Sequence, residues 1–272
     1  YDQKRHQGFW RHLVIRTAHA GSKAMLMIVT HKGNRDAVVQ LATEVARRCP
    51  EVEHVAWGVT TRVADTALPE QVEQLVGEEL MNDQIGPLSI EVRPMSFVQP
   101  NLTQAARVYQ ALITAANFKG TEVVYDFYCG IGSIALMVAP HVQSVIGIEL
   151  DPDNTELALS NAKANGLVNV TFHCGKVEDL VARRGLFERG LKPDVVILDP
   201  PRAGLHPEVM GPLLQAGASQ LIYLSCNPAS LARDLKVILE REPTYQIRQI
   251  QLFDFFPQTA HMEVLVVLGR SC

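Results

Sequence analysis

The run "IYLSCNP" sets a thiol where a strand-like segment stops: Ile222, Tyr223 and Leu224 are apolar, and Pro228 prevents the strand from continuing. In an open α/β sheet that edge is where ligands bind. Cys226 is therefore either a small packed hydrophobe or a nucleophile. The thiolate is the reactive form, so a nucleophilic role demands surroundings that promote ionisation. Asn227 and nearby backbone amides are candidates for that task. Two carboxylates bear on the choice. "VVILDPPRAG" ends another apolar run with Asp199, and Pro200 and Pro201 stiffen the next loop and send it away from the sheet. "QTAHMEVLV" places Glu263 at the start of an apolar strand, with His261 close by. Burial raises a carboxyl's pKa and suits it to general-base work. Arg202, directly after the prolines, can stack on a base, bind phosphate or simply face water.

A nucleotide-type loop accompanies them. "DFYCGIG" follows a strand and precedes the helical "SIALMVA", and Gly130 and Gly132 let the backbone approach a ligand closely. Glu149 ends the next strand, nineteen residues after Gly130. An acid there can accept hydrogen bonds from both ribose hydroxyls of an adenosine cofactor. It can equally be a helix N-terminal acid favoured by the dipole. NAD and S-adenosylmethionine both fit the glycines and the acid; the short loop and the chain's ending favour the second.

A methyl donor, a thiol and a base at one edge suit methylation of uracil carbon 5; the alternatives are methylation of an amino group on a nucleobase or protein amide without covalent catalysis, and a non-catalytic RNA-binding module on the same fold. Carbon 5 of uracil is a poor nucleophile until a thiolate adds at carbon 6 and makes an enolate. After methylation a base must take the carbon-5 proton before the thiol can leave.

The elements that must hold these groups are legible in the second half. "EVVYDFYCG", "SVIGIEL", "NVTFHCG", "DVVILDPP" and "QLIYLSCNP" are short runs rich in β-branched and aromatic residues. Helical patterns alternate with them, as in "PDNTELALSNAKANG", where Asp151 reads as the N-cap, Pro152 as the first helical residue and Asn165-Gly166 as the stop. Alternation predicts a parallel sheet covered on both faces. "YQIRQIQLFDFF" and "HMEVLVVLG" are joined too tightly for a helical crossover and must pair antiparallel. The expected fold class is α/β, a class I (Rossmann-like) methyltransferase sheet with a terminal antiparallel hairpin, plus a smaller N-terminal α+β subdomain. In the first half "HLVIRT", "AMLMIVT" and "HVAWGVT" read as strands and "RDAVVQLATEVARR" as a helix, while "EQVEQLVGEELM" suits either. The boundary is placed at "VRPMSFVQPN", giving residues 1–94 as an RNA-facing subdomain and 95–272 as the catalytic domain.

Six motifs in order, "SFVQPN", "FYCGIG", "GIELD", "LDPPRAG", "LSCNP" and "FPQTAHMEV", resemble the RNA (uracil-5-)-methyltransferase family, which makes 5-methyluridine in tRNA or ribosomal RNA. The resemblance runs from Ser96 to Val264 and is looser before Arg93. It implies Cys226 as nucleophile and Glu263 as proton acceptor. It implies Gln99, Tyr128, Glu149 and Asp199 as S-adenosylmethionine ligands, with Asp199 also close to the uracil and Asn101 shaping its loop. Ser133 is a weaker cofactor candidate, since family members often carry Asn there, and Lys176 likewise stands where Asn is frequent. The implied partner is tRNA or rRNA with its target uridine flipped out. The family usually has an N-terminal β-barrel that grips RNA, and some members hold an iron–sulfur cluster. Neither is legible here, so the chain reads as the catalytic part without the barrel. Its start without Met suits a fragment or trimmed piece.

Composition narrows the rest. Charged residues are 20% of the 272 and the net charge is −4, which excludes a strongly basic bulk nucleic-acid binder. Polyanion contact must then come from local patches such as "KRHQGFWRHLVIR", with Arg5, Arg11 and Arg16. The five cysteines are scattered with no C-x-x-C, which argues against a disulfide framework or zinc ribbon and suits a reducing cytoplasm; no metal is expected. No segment reads as a signal peptide or membrane span. A cytoplasmic monomer is the expectation.

Overall fold

The computed structural model describes residues 1–2, 4–19, 21–63, 67–183, 185–189 and 192–271, so Cys272 lies outside the described residues. Two compact units emerge. Residues 1–84 and 90–96 form one, and residues 85–89 and 97–272 form the other.

The first unit is built on a four-stranded sheet of β1 (Trp10–Thr17), β2 (Ala24–Thr30), β3 (Val52–Val59) and β4 (Gln71–Val76), in that order. Helix α1 (Arg35–Arg48) is capped by the Asn34 side chain and packs Val38 and Ala42 against Leu26, Ile28, Val55 and Trp57. The ambiguous "EQVEQLVGEELM" is extended. Val72 and Gln74 pair with Gly58 and Ala56 of β3, and a helix is barred at Gly77, whose φ of +70° brings its backbone so close to Glu53 that a Cβ would lie 1.9 Å from the Glu53 carbonyl oxygen. Strands β5 (Met81–Ile85) and β6 (Leu88–Val92) form a separate two-stranded sheet.

The basic patch needs a correction in this unit. Arg16 is turned inward: its Nη2 donates to the Ser96 carbonyl at 2.7 Å, and burial lowers its pKa while Asp83 opposes that shift. Arg11 lies 4.3 Å over the Tyr1 ring and donates to the Arg62 carbonyl, and Arg5 is paired with Asp2 at 3.9 Å. Arg16→Met should therefore act on the fold, leaving the Ser96 carbonyl unpaired at a cost of about 1–3 kcal/mol in urea unfolding. Unchanged stability with weakened RNA binding would restore Arg16 to the surface patch.

The second unit is a seven-stranded sheet in the order β12-β13-β11-β10-β7-β8-β9. β7 (Val123–Phe127), β8 (Ser144–Glu149), β9 (Val170–Cys174), β10 (Val195–Leu198) and β11 (Gln220–Ser225) pair parallel with one another, while β13 (Glu263–Arg270) pairs antiparallel with both β11 and β12 (Tyr245–Phe253), so β13 alone runs against the rest of the sheet. Helix α2 (Leu102–Ala116) precedes the sheet, with Asn101 as its N-cap. Helices α3 (Ser133–Val138), α4 (Pro152–Ala164), α5 (Leu186–Arg189), α6 (Pro207–Ala216) and α7 (Pro228–Arg241) fill the connections, with a π-helical turn at Asp179–Arg183 before α5. Asp151 caps α4 by accepting from the Asp153 amide at 2.9 Å, and the helix stops at Asn165 with Gly166 at φ +67°. Strand order reverses between β7 and β10, so the loops after these two strands diverge and leave a crevice at their carboxyl ends. None of the helices among the described residues is long and apolar enough to cross a membrane.

Candidate active site

Sheet register carries the key groups to that crevice. Ser225 of β11 pairs with Val264 of β13, so the next residues out along the two strands, Cys226 and Glu263, face each other across the sheet edge. Leu198 of β10 pairs with Phe127 of β7, which sets Asp199 beside Tyr128 in the same way. Together these four line a cavity of about 700 Å3. Gln99, Ser133 and Glu149 line it as well, so the cavity brings Cys226 and Glu263 together with the five residues expected to hold the cofactor.

The glycine turn is held by the acid that follows it. The Gly130 amide donates to Glu149 Oε2 at 2.9 Å and the Asp151 amide to Oε1 at 2.8 Å. Each oxygen retains a lone pair for a ligand hydroxyl. Gly132 has φ +85°, and a Cβ there would lie 3.1 Å from Phe172 and 3.2 Å from Ala158, so the turn closes only with glycine. Tyr128 also adopts a left-handed φ of 65° and lines a second cavity of about 640 Å3, beside Leu150, Lys176 and Val177. Lys176 thus borders the neighbouring cavity rather than the one holding Cys226. Burial and Glu178 push the Tyr128 phenol up to about 12, against a backbone hydrogen bond from His206.

The carboxyls at the edge are poised near neutrality. Burial pushes Asp199 up to about 7. Burial and the charge of Asp199 push Glu263, only 6% exposed, up to about 7 as well, while Arg202 draws it down. Such a group both takes and gives a proton at neutral pH. Cys226 is half-buried, and burial followed by Glu263 raises its thiol pKa, with Arg202 as the opposing charge. Asn227 does not serve the thiol in the expected way. Its side chain caps α7 by accepting from the Ala229 amide at 3.1 Å and donates to the Arg202 carbonyl at 2.9 Å.

Sequence reasoning missed two residues. Tyr109 of α2 is buried at the cavity wall, its phenol raised by burial and by Asp199, Asp126 and Glu263. Asp126 in mid-β7 is fully buried, and burial, Asp199 and Glu149 hold its carboxyl well above the usual range. A carboxylate inside the apolar run "VVYDF" was the available signal. Among the described residues no cluster of His, Cys, Asp and Glu could hold a metal ion.

The sequence and the fold are similar to those of known proteins. The tRNA (uracil-5-)-methyltransferase family model matches residues 23–271. An uncharacterized RNA methyltransferase of Nostoc is 36% identical over 271 residues, and one of Oceanobacillus iheyensis is 34% identical over 268. The chain spans 58% of the length of each of these relatives. The structure of Pyrococcus abyssi tRNA (uracil-54, C5)-methyltransferase in complex with S-adenosyl-L-homocysteine superposes with a TM-score of 0.79 at 27% identity, covering 97% of this chain and 61% of that one. The family match over nearly the whole chain and the identity to these relatives place it: the chain belongs to the tRNA (uracil-5-)-methyltransferase family.

Proposed function

We propose that the chain is the catalytic part of an enzyme that methylates carbon 5 of a uridine in structured tRNA or rRNA with S-adenosyl-L-methionine. The observation that carries this reading is the meeting of Cys226 and Glu263 in one cavity with the glycine turn and Glu149. The residues present fit the cofactor. Glu149 keeps acceptor capacity for ribose hydroxyls, Gln99, Ser133 and Asp199 offer polar contacts nearby, and Leu150 and Val177 offer apolar walls for an adenine beyond Tyr128. When bound, S-adenosylmethionine supplies the electrophilic methyl and a sulfonium charge.

This chain's own residues do the rest. Cys226 adds to carbon 6, and the electron pair of the 5,6 bond passes to the enolate. Carbon 5 takes the methyl. Glu263 as carboxylate removes the carbon-5 proton, the enolate reforms, and the thiolate is expelled with its bonding pair. Asp199, held near 7 beside the same cavity, faces the flat uracil as donor or acceptor. A stacked uridine cannot reach Cys226, so the target nucleotide is flipped out of its stack. Residues 1–94 serve as the RNA-facing part.

Release of tritium from carbon-5-labelled uridine, compared between tRNA and rRNA transcripts, tests the reading. Methyl transfer without tritium release would overturn it in favour of methylation at nitrogen. Cofactor placement has its own check. Glu149→Ala should weaken S-adenosylmethionine binding by about ten- to a hundredfold in calorimetry, the loss expected for charge-assisted hydrogen bonds. Unchanged affinity in a folded variant removes Glu149 from the site.

A further inference from the structure

The loop carrying Asp199 and Arg202 does not rest on its own stiffness. The first turns of α7, which begins just after Cys226, hold its backbone from three side chains. Asn227 donates to the Arg202 carbonyl at 2.9 Å. Arg233 Nη2 donates to the Ala203 carbonyl at 2.8 Å. Asp234 Oδ2 accepts from the Leu205 amide at 2.8 Å. Between these anchors Gly204 has φ +83°, and a Cβ there would lie 2.5 Å from both Arg233 Nη2 and Asp234 Oδ2. Only glycine lets the loop come so close.

Asp234 joins the contacts together. It is 3% exposed, its Oδ2 also accepts from the Tyr223 hydroxyl of β11 at 2.7 Å, and its Oδ1 accepts from Arg233 Nη2 at 2.7 Å. The helix does not need this carboxylate to stay in place, because Leu231, Leu235 and Ile238 already anchor it in the apolar core. A buried charge is expensive unless it is paired and fully hydrogen-bonded. Here its bonds converge on the loop and on the strand that leads to Cys226.

We propose that Asp234 is a positioning residue, whose buried carboxylate locks the Asp199–Leu205 loop onto α7 and so keeps Arg202 beside Cys226 and Glu263. The proposal rests on the catalytic reading of Cys226 given above, but its test uses neither RNA nor cofactor. The charged and titratable groups facing Cys226 are Glu263, Arg202 and Asp199, and of these only Arg202 favours the thiolate. A loosened loop therefore raises the thiol's ionisation point.

The rate of Cys226 alkylation by iodoacetamide, followed by peptide mass spectrometry across pH, reads this out separately from the other cysteines. Arg202→Ala and Asp234→Asn should each slow labelling at pH 8 by about threefold or more, the effect of half a pK unit. The double variant should be no slower than Arg202→Ala alone. A labelling profile of Asp234→Asn that superposes on the parent's overturns the proposal, even with a lowered unfolding temperature, and so does a fully additive double variant. If Asp234→Asn fails to fold, Arg233→Gln releases the Ala203 carbonyl from a half-exposed position. It should shift the profile the same way, and an unchanged profile there also overturns the proposal. Loss of RNA methylation with a shifted labelling profile supports the clamp whatever the substrate proves to be.

Discussion

Cys226→Ala is expected to abolish methyl transfer and tritium release together. The loss should be roughly ten-thousandfold or more, the scale seen when the nucleophile of a covalent enzyme is removed. The fold should survive, because Cys226 is only half-buried and the strand leading to it is set by Leu221, Ile222 and Tyr223, each fully buried in the sheet. S-adenosylmethionine affinity should be unchanged, since Glu149 and the glycine turn take no support from the thiol. Equal turnover by the variant would sink the covalent scheme. The cavity would then be read through Asp199 and its proline loop, as a site that methylates a nitrogen without an adduct.

Much of this site was legible because the sheet is written locally. Asp151, Pro152, Asn165 and Gly166 announce the limits of α4 by cap and turn chemistry within a few residues. The β-branched runs stop at proline or glycine, so the residues at the carboxyl edge stand out before any tertiary structure is known. Groups acting across elements are harder to read. Arg16 looks like part of a basic patch until Ser96, eighty residues later, takes its guanidinium. Asn227 sits next to the thiol in sequence, yet its side chain serves the helix N-terminus and a carbonyl on another loop. Tyr109 occupies an apolar helix face and reads as core; the three carboxyls around its phenol, Asp199, Asp126 and Glu263, come from three different strands or strand ends. The raised pKa values of Asp199 and Glu263 likewise depend on burial, which neither "LDPP" nor "HMEV" encodes alone. Spacing locates a carboxylate at the edge, and packing decides how readily it holds a proton.

Glu263→Gln should fail at a different step. The amide cannot take the carbon-5 proton, but it removes a negative charge that holds the Cys226 thiol up, so addition and methyl transfer should still proceed. The methylated adduct then has no exit. A covalent protein–RNA complex should accumulate that survives denaturing gels and requires both S-adenosylmethionine and the target uridine. In the parent enzyme, turnover should fall as pH drops below about 7, where Glu263 becomes protonated. Stability provides the control. The folded carboxyl titrates near 7, above its unfolded value, so its contribution to stability is present at low pH and is lost as pH rises through 7. At pH 8 the parent must keep a buried charge that the unfolded chain solvates freely, and Glu263→Gln should be more stable than the parent by about 1–3 kcal/mol. That advantage should vanish below about pH 3.5, under the unfolded value, where the parent's carboxyl is largely protonated in both states. A variant that is more stable yet trapped on its RNA cannot be explained by a damaged fold. Normal turnover with no trapped complex would remove Glu263 from the proton-accepting role and point to another group at the same edge, with Asp199 the first to test.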